Sequence, residues 1–252
     1  MILDLHRIPA REKLILTGLF LSKFDTAGLK ILGFEGFTEA FNVIGLALGG
    51  KPASIKNYRD EFDPLFPNLR KGWHHRSPRA NCAKVLKEYE SLDLQTFSAL
   101  IKSFVGYDEE ASSELPTEGD GTDSAFARRL ITGLAAEHYF ESVQPGLSEF
   151  SNYVVENTTR LGCGFDFRLR SKTDNAFLAV EVKGLKDKAG VLSFTPKEHH
   201  VAATMTDRFY LFVVKNFREA PFHEIYRNPL ASSLSFERKE RVIVQVSWFT
   251  SV

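Results

Sequence analysis

Cysteine is scarce: Cys82 and Cys163 are the only two in 252 residues, and they lie far apart. That spacing suggests neither a disulfide framework nor a zinc site. Long apolar runs are also missing; none reaches the roughly 18 residues that a bilayer-spanning helix needs. The opening stretch MILDLHRIPAREKLILTGLF mixes charges into its apolar positions and has no cleavage site. No signal peptide is expected, and the chain reads as cytoplasmic. There is no internal repeat. Net charge is absent as well, with 32 Lys+Arg against 32 Asp+Glu. What remains, 43% hydrophobic and 25% charged residues, is the composition of an ordinary globular protein.

The zero sum hides a segregation of charge. From Asn68 to Lys87 stand six bases (Arg70, Lys71, Arg76, Arg79, Lys84 and Lys87) and no acid. From Gly106 to Ala127 stand seven acids and no Lys or Arg. A local basic face is what phosphate binding requires, so nucleic acid is not excluded. The acidic stretch YDEEASSELPTEGDGTDS, with Pro116, Gly119 and Gly121 and few large apolar residues, reads as a solvated linker. It divides the chain into a helical part (1–106), a linker (107–123) and a C-terminal part (124–252).

In the first part, apolar residues recur at helical spacing over 5–24 and 37–49, with Thr38 as a candidate N-cap and Gly49-Gly50 as a stop. Ser54 is placed to cap the helix that runs to Pro64, and 81–92 and 94–105 complete an all-α set. Beyond the linker the pattern changes. SAFARRLITGLAAEHYFES predicts a helix capped by Ser124, and YVVENTT a short strand. GFDFRLRS and NAFLAVEVKG predict two strands joined by the polar turn KTDN. TPKEHHVAATM begins a helix with a Thr cap and a Pro at its first position, RFYLFVVKNF is an apolar strand, and VIVQVSWF is a candidate last strand. Helices before and after a hairpin predict an α/β domain, a mixed central sheet with helices on its faces.

One strand is anomalous. FLAVEVKG sets Glu181 and Lys183 two apart in an apolar run, where an unpaired buried charge costs several kcal/mol. Alternation puts both on one face, with Ala179, Val180 and Val182 assigned to the core. Asp166, on the preceding strand, falls beside Glu181 if the two strands pair with a short turn. Two carboxylates at that range repel unless a cation lies between them. A hard divalent cation, held by carboxylates and phosphate oxygens, resolves this and implies phosphate chemistry, with the lysine stabilising charge on phosphorus or steering the attacking water. The competing reading is a solvated strand face with a cross-strand ion pair and an ordinary strand-edge Asp.

Asp166 followed by Glu181-Val182-Lys183 resembles the signature of the PD-(D/E)XK nuclease superfamily, although Phe165 stands where a proline usually precedes the Asp. More narrowly, Gly164-Phe165-Asp166, Val180 to Gly184, and Thr195-Pro196-Lys197-Glu198 resemble the domain at the C-terminus of the plant NO VEIN protein, which also occurs in bacterial restriction and defence proteins. The resemblance covers about residues 124–216. It implies a restriction-endonuclease-like fold and phosphodiester hydrolysis, with magnesium (manganese as the alternative) held by Asp166 and Glu181 and with Lys183 stabilising the transition state. It also implies a glutamate on the first helix. Glu137 fits, following Phe126, Leu130 and Leu134 on one helical line, although a plain surface position is an equal alternative. Glu198 is a further contributor, orienting Lys183 or a water, or else a polar first helical turn.

His199 and His200 are adjacent, so they diverge on a helix and cannot chelate one metal together; His74-His75 lacks the partners of a zinc site. The loop NLRKGWHHRSPR reads as a DNA-binding element. Arg70, Lys71, Arg76 and Arg79 are placed to neutralise phosphates, and Trp73, His74 and His75 to stack on a base or wedge a groove. The alternative is a solvated basic face with Trp73 in the core. The whole reads as a metal-dependent endonuclease of restriction or phage defence acting on DNA, with a homodimer expected if both strands are cut. The rival class is a catalytically silent nuclease fold that binds nucleic acid or a protein partner.

Overall fold

The computed structural model describes residues 8–70, 72, 76–105, 123–240, 248 and 250. Its N-terminal region is helical: α1 (Ala10–Ile31), α2 (Phe37–Ala47), α3 (Pro52–Phe62), α4 (Ala80–Tyr89) and α5 (Leu94–Ser103). Two expected caps in this region are displaced. Thr38 lies inside α2, whose N-cap is Gly36, and Ser54 lies inside α3, whose N-cap is Lys51. The reason at α3 is Pro52, whose preset φ and missing N–H suit the first helical position. The acidic segment 107–123 lies outside the described residues except for Asp123, which belongs to the next helix, α6 (Asp123–Val143), so Ser124 lies inside that helix and is not its cap. No helix among the described residues is long and apolar enough to cross a membrane.

After α6 come the strands β1 (Tyr153–Asn157), β2 (Phe167–Ser171) and β3 (Phe177–Gly184), then α7 (Pro196–Met205), β4 (Phe209–Lys215) and β5 (Phe222–Arg227). They form a five-stranded sheet in the order β1-β2-β3-β4-β5. β1, β2 and β3 are an antiparallel meander, α7 makes the crossover to a parallel β4, and β5 returns antiparallel. The expected last strand, 242–249, lies outside the described residues except for Trp248, which is exposed and in no strand. β5 was not anticipated; FHEIYR carries two charges and a histidine and has little apolar alternation.

The sheet is covered on both faces. Val180 and Val182 of β3 and Phe212 and Val214 of β4 join the main core with Phe140 of α6. Phe140 packs its ring against Phe150, Phe167 and Phe212 at centroid distances of 5.9, 4.8 and 4.9 Å. On the opposite face Ala179 packs with Phe165, Phe209 and, from α7, Ala202 and Met205. Ala179 therefore shares the face of Glu181 and Lys183, as strict alternation requires, and not that of Val180 and Val182.

The helical region is not set apart from the sheet. One buried apolar cluster runs from Leu14 of α1 through Phe41 and Ile44 of α2 to Phe140 and Phe212. Asn42 of α2 donates from Nδ2 to the carbonyls of Phe217 and Glu219, at 2.8 and 3.1 Å, just beyond β4. His138 Nδ1 lies 3.0 Å from the carbonyl oxygen of Leu46. These contacts fix α2 and α6 against the end of β3, where the anomalous charges stand.

Gly184 closes that end. A Cβ there would sit 2.8 Å from the carbonyl oxygen of Thr132 and 3.0 Å from its Cγ2, so the absence of a side chain lets α6 cross β3 closely. Gly184→Ala should cost about 1–3 kcal/mol through overpacking. Urea unfolding checks this, and an unchanged midpoint would mean that α6 yields without cost.

Candidate active site

The register of the central hairpin explains how Asp166 meets Glu181. Phe167 pairs with Val180. One residue further along the same register, Asp166 stands across from Glu181. Its N–H donates to the Val180 carbonyl at 3.0 Å, and its Oδ2 accepts the N–H of Val182 at 2.8 Å. The Asp166 carbonyl is also held, by the N–H of Thr158 at 2.7 Å and its Oγ1 at 3.1 Å. The turn before it needs Gly164, with φ +88° and room for a Cβ only 2.9 Å from Val201 of α7. The Gly-Phe-Asp sequence thus has a structural role for each residue: a turn, an anchor against α7, and a carboxylate at the end of a strand.

Glu181 is 3% exposed. Its Oε1 lies 2.6 Å from Nζ of Lys183, and the same Nζ donates to Oε2 of Glu198 at 3.0 Å. Burial, reinforced by the charge of Asp166, pushes the Glu181 carboxyl well above its ordinary range, while Lys183 opposes the shift. Burial raises Asp166 too, against the pull of the Val182 N–H. Glu137, on α6, is raised to about 7, by burial first and then by the charges of Asp166 and Glu141. For Lys183, burial favours the neutral amine, but Glu181 and Glu198 outweigh it and hold it protonated.

These side chains face one cleft of ≈ 450 Å³. The structure brings together Asp166, Glu181, Lys183, Glu137 and Glu198, and adds residues that strand and helix patterns did not single out. Glu39 and Val43 of α2, Thr132 of α6 and Lys186 also line it. Glu39 is 2% exposed and accepts the N–H of Glu35 at 3.3 Å, while Lys186 Nζ sits 2.6 Å from Glu35 and 4.0 Å from Glu39. A signal for Glu39 existed, an acid inside the apolar run FTEAFNVIGLALG. It is masked because an acid in a first helical turn has an ordinary dipole explanation.

Among the described residues no three His, Cys, Asp or Glu side chains converge as a ready-made metal cage. Magnesium does not need one; it usually takes one or two carboxylates together with substrate oxygens. The donors here fit that pattern. Asp166 and Glu181 are hard oxygen ligands beside each other, the first half-buried and the second buried, and desolvation penalises their ionised forms.

The basic loop is placed differently. Lys71, Trp73, His74 and His75 lie outside the described residues. Arg70 is occupied within the fold: its Nε and Nη2 each donate to Asp63 at 2.8 Å, and its Nη1 pairs with Asp25. Arg79 donates to the buried Glu61 at 2.8 and 2.6 Å. Burial alone would raise the Glu61 carboxyl, but Arg79 holds it below its ordinary range. Arg76, Lys84 and Lys87 lie on the surface. Two of the bases chosen as phosphate contacts therefore already neutralise buried carboxylates.

An α/β unit with a buried and a half-buried carboxylate and a lysine at the end of its central hairpin is the class that fold and site define. Comparison with known families agrees with the narrower of the two resemblances. Residues 134–227, a little over a third of the chain, match the family described as Protein NO VEIN, C-terminal. The match spans Glu137, Asp166, Glu181, Lys183 and Glu198 and runs from α6 to the end of β5. No curated protein and no solved structure matches the chain.

Two measurements check this account. Removing Arg70 leaves the fully buried Asp63 without its bidentate partner, so Arg70→Ala should destabilise the fold by about 3 kcal/mol. The exposed Lys84→Ala should stay within about 0.5 kcal/mol of wild type. Equal midpoints for the two in denaturant would refute the structural role of Arg70.

The second concerns pH. The folded chain keeps a proton on Glu137 to about 7, against an ordinary value of 4.5, so the unfolded chain loses its proton first. Stability therefore falls as pH rises through that window. In the presence of a chelator, the Tm should drop between about pH 5 and 8, and Glu137→Gln should flatten part of the drop. A wild-type slope retained in that variant would assign the pH dependence elsewhere.

Proposed function

We propose that the chain is a metal-dependent endonuclease that hydrolyses DNA phosphodiester bonds, built on a restriction-endonuclease-like sheet. The observation that carries the reading is the meeting of Asp166 and Glu181 across the β2–β3 register, with Lys183 on the same strand face as Glu181. Asp166 and Glu181 would hold magnesium or manganese. Once bound, the cation supplies Lewis-acid polarisation of a phosphoryl oxygen and a more acidic water.

The chain's own residues account for the rest. Lys183, kept charged by two carboxylates, stabilises the negative charge that develops on the phosphoryl oxygens. Glu137, with a pKa near neutrality, suits the acceptance of a proton from the attacking water. The Thr158 contacts and the Val182 N–H orient Asp166, so its carboxylate does not have to be ordered by substrate. A restriction or phage-defence setting follows from the kind of protein in which this domain type occurs. Cleaving both strands would call for two copies of the chain.

A second reading has its own support. The Lys183–Glu181 pair is complete as it stands. If it is permanent, the domain is a catalytically silent module that binds nucleic acid or protein. Incubation of the full chain with supercoiled plasmid, in magnesium or in chelator, separates the two. Nicking or linearisation should appear only with the metal and fall at least about 100-fold in Lys183→Ala. Cleavage at the wild-type rate in that variant would move catalysis away from Lys183, whereas no cleavage of modified or unmodified DNA supports the binding module instead.

A further inference from the structure

We infer that Glu198 is a positioning residue that keeps Lys183 seated when Glu181 is given over to the cation. The inference rests on the nuclease reading above and assigns a role within that same site. Lys183 Nζ lies 2.6 Å from Glu181 Oε1 and 3.0 Å from Glu198 Oε2, so one ammonium is shared by two carboxylates. A cation entering at Glu181 must compete with this ammonium for the same carboxylate. The lysine can release Glu181 at low cost only if another anion already holds it.

Glu198 is built to be that anion. Its Oε2 also accepts the N–H of Thr195 at 2.9 Å, while Thr195 Oγ1 accepts the N–H of Glu198 at 3.2 Å. This reciprocal capping box fixes the carboxylate whether or not Lys183 touches it. The N-terminus of α7 adds a field that favours negative charge at that place. The side chain is only 15% exposed, so water screens the pair weakly. A further restraint comes from Phe194, whose ring centroid lies 5.8 Å from Nζ. Phe194 is itself packed against Phe209 and Phe236 at 6.2 and 4.9 Å. Glu181 therefore has one described cationic partner, and that partner has a second seat.

Without the charge on Glu198, Lys183 falls back on Glu181 and opposes the metal. Glu198→Gln preserves the acceptor that caps Thr195 but removes the charge that holds the lysine. Manganese and magnesium affinity, measured on the full chain by titration calorimetry and by the metal-dependent rise of Tm, should drop about tenfold. Lys183→Met should bind the metal at least as tightly as wild type, because the competitor is gone. In the Lys183→Met background, adding Glu198→Gln should cost little further affinity. An equal loss in both backgrounds would mean that Glu198 acts only as a nearby charge, and would overturn the inference.

If Lys183→Met shows no cooperative melt, Glu198→Asp decides. It keeps the charge but is too short to cap and to hold Lys183 together, so it should weaken the metal as Gln does. Wild-type affinity in Glu198→Asp would overturn the inference. A wild-type chain that binds neither metal, or binds it as Asp166→Asn does, overturns the nuclease reading along with it. Wild-type binding that Glu198→Gln leaves unchanged overturns the positioning role alone.

Discussion

Burial of Glu181 beside a second carboxylate is the constraint on which the cleft depends. At 3% exposure Glu181 cannot rely on water, and Asp166 across the register makes its ionisation harder. Something positive has to answer. Here it is Lys183, itself half-buried and held by Glu198 on the far side. The capping box of α7, the glycine turn before Asp166 and the close crossing of α6 over Gly184 keep these groups in reach of one another. Charges in so dry a place interact far more strongly than at a surface, which gives a site both its cost and its use.

The helical region contributes to this arrangement directly. α2 supplies Glu39 and Val43 to the wall of the cleft and is tied by Asn42 to the backbone beyond β4. The charges of Arg70 and Arg79 answer Asp63, Asp25 and Glu61 within the helices, so two of the six bases between Asn68 and Lys87 are committed to the fold. A phosphate-binding face, where there is one, has to be built from other bases or from the cleft rim, where Lys186 stands.

Much of the site was legible in sequence because its parts are local or tied to strand alternation. Glu181 and Lys183 share a face by periodicity alone, and the Thr195-Pro196 start of α7 follows from capping chemistry. The helical region and the mixed sheet with helices on its faces could likewise be read from patterns. What could not be read depends on partners distant in sequence. Arg70 and Arg79 looked like solvated bases because Asp63, Asp25 and Glu61 come from other elements. Glu39 looked like an ordinary first-turn acid because its place in the cleft is set by α2 lying against α6. β5 was hidden since an edge strand is half solvated and carries little alternation. The displaced cap of α3 shows a local rule overridden by another local rule, with Pro52 setting the start in place of Ser54.

The most direct test of the central claim is where a divalent cation goes. A crystal of the full chain soaked in manganese, with anomalous data collected, locates it without reference to activity. The account predicts an anomalous peak in contact with carboxylate oxygens of both Asp166 and Glu181, with Lys183 released from Glu181 and still on Glu198. Density for Lys183 unmoved on Glu181, and no peak between the two carboxylates, would contradict it.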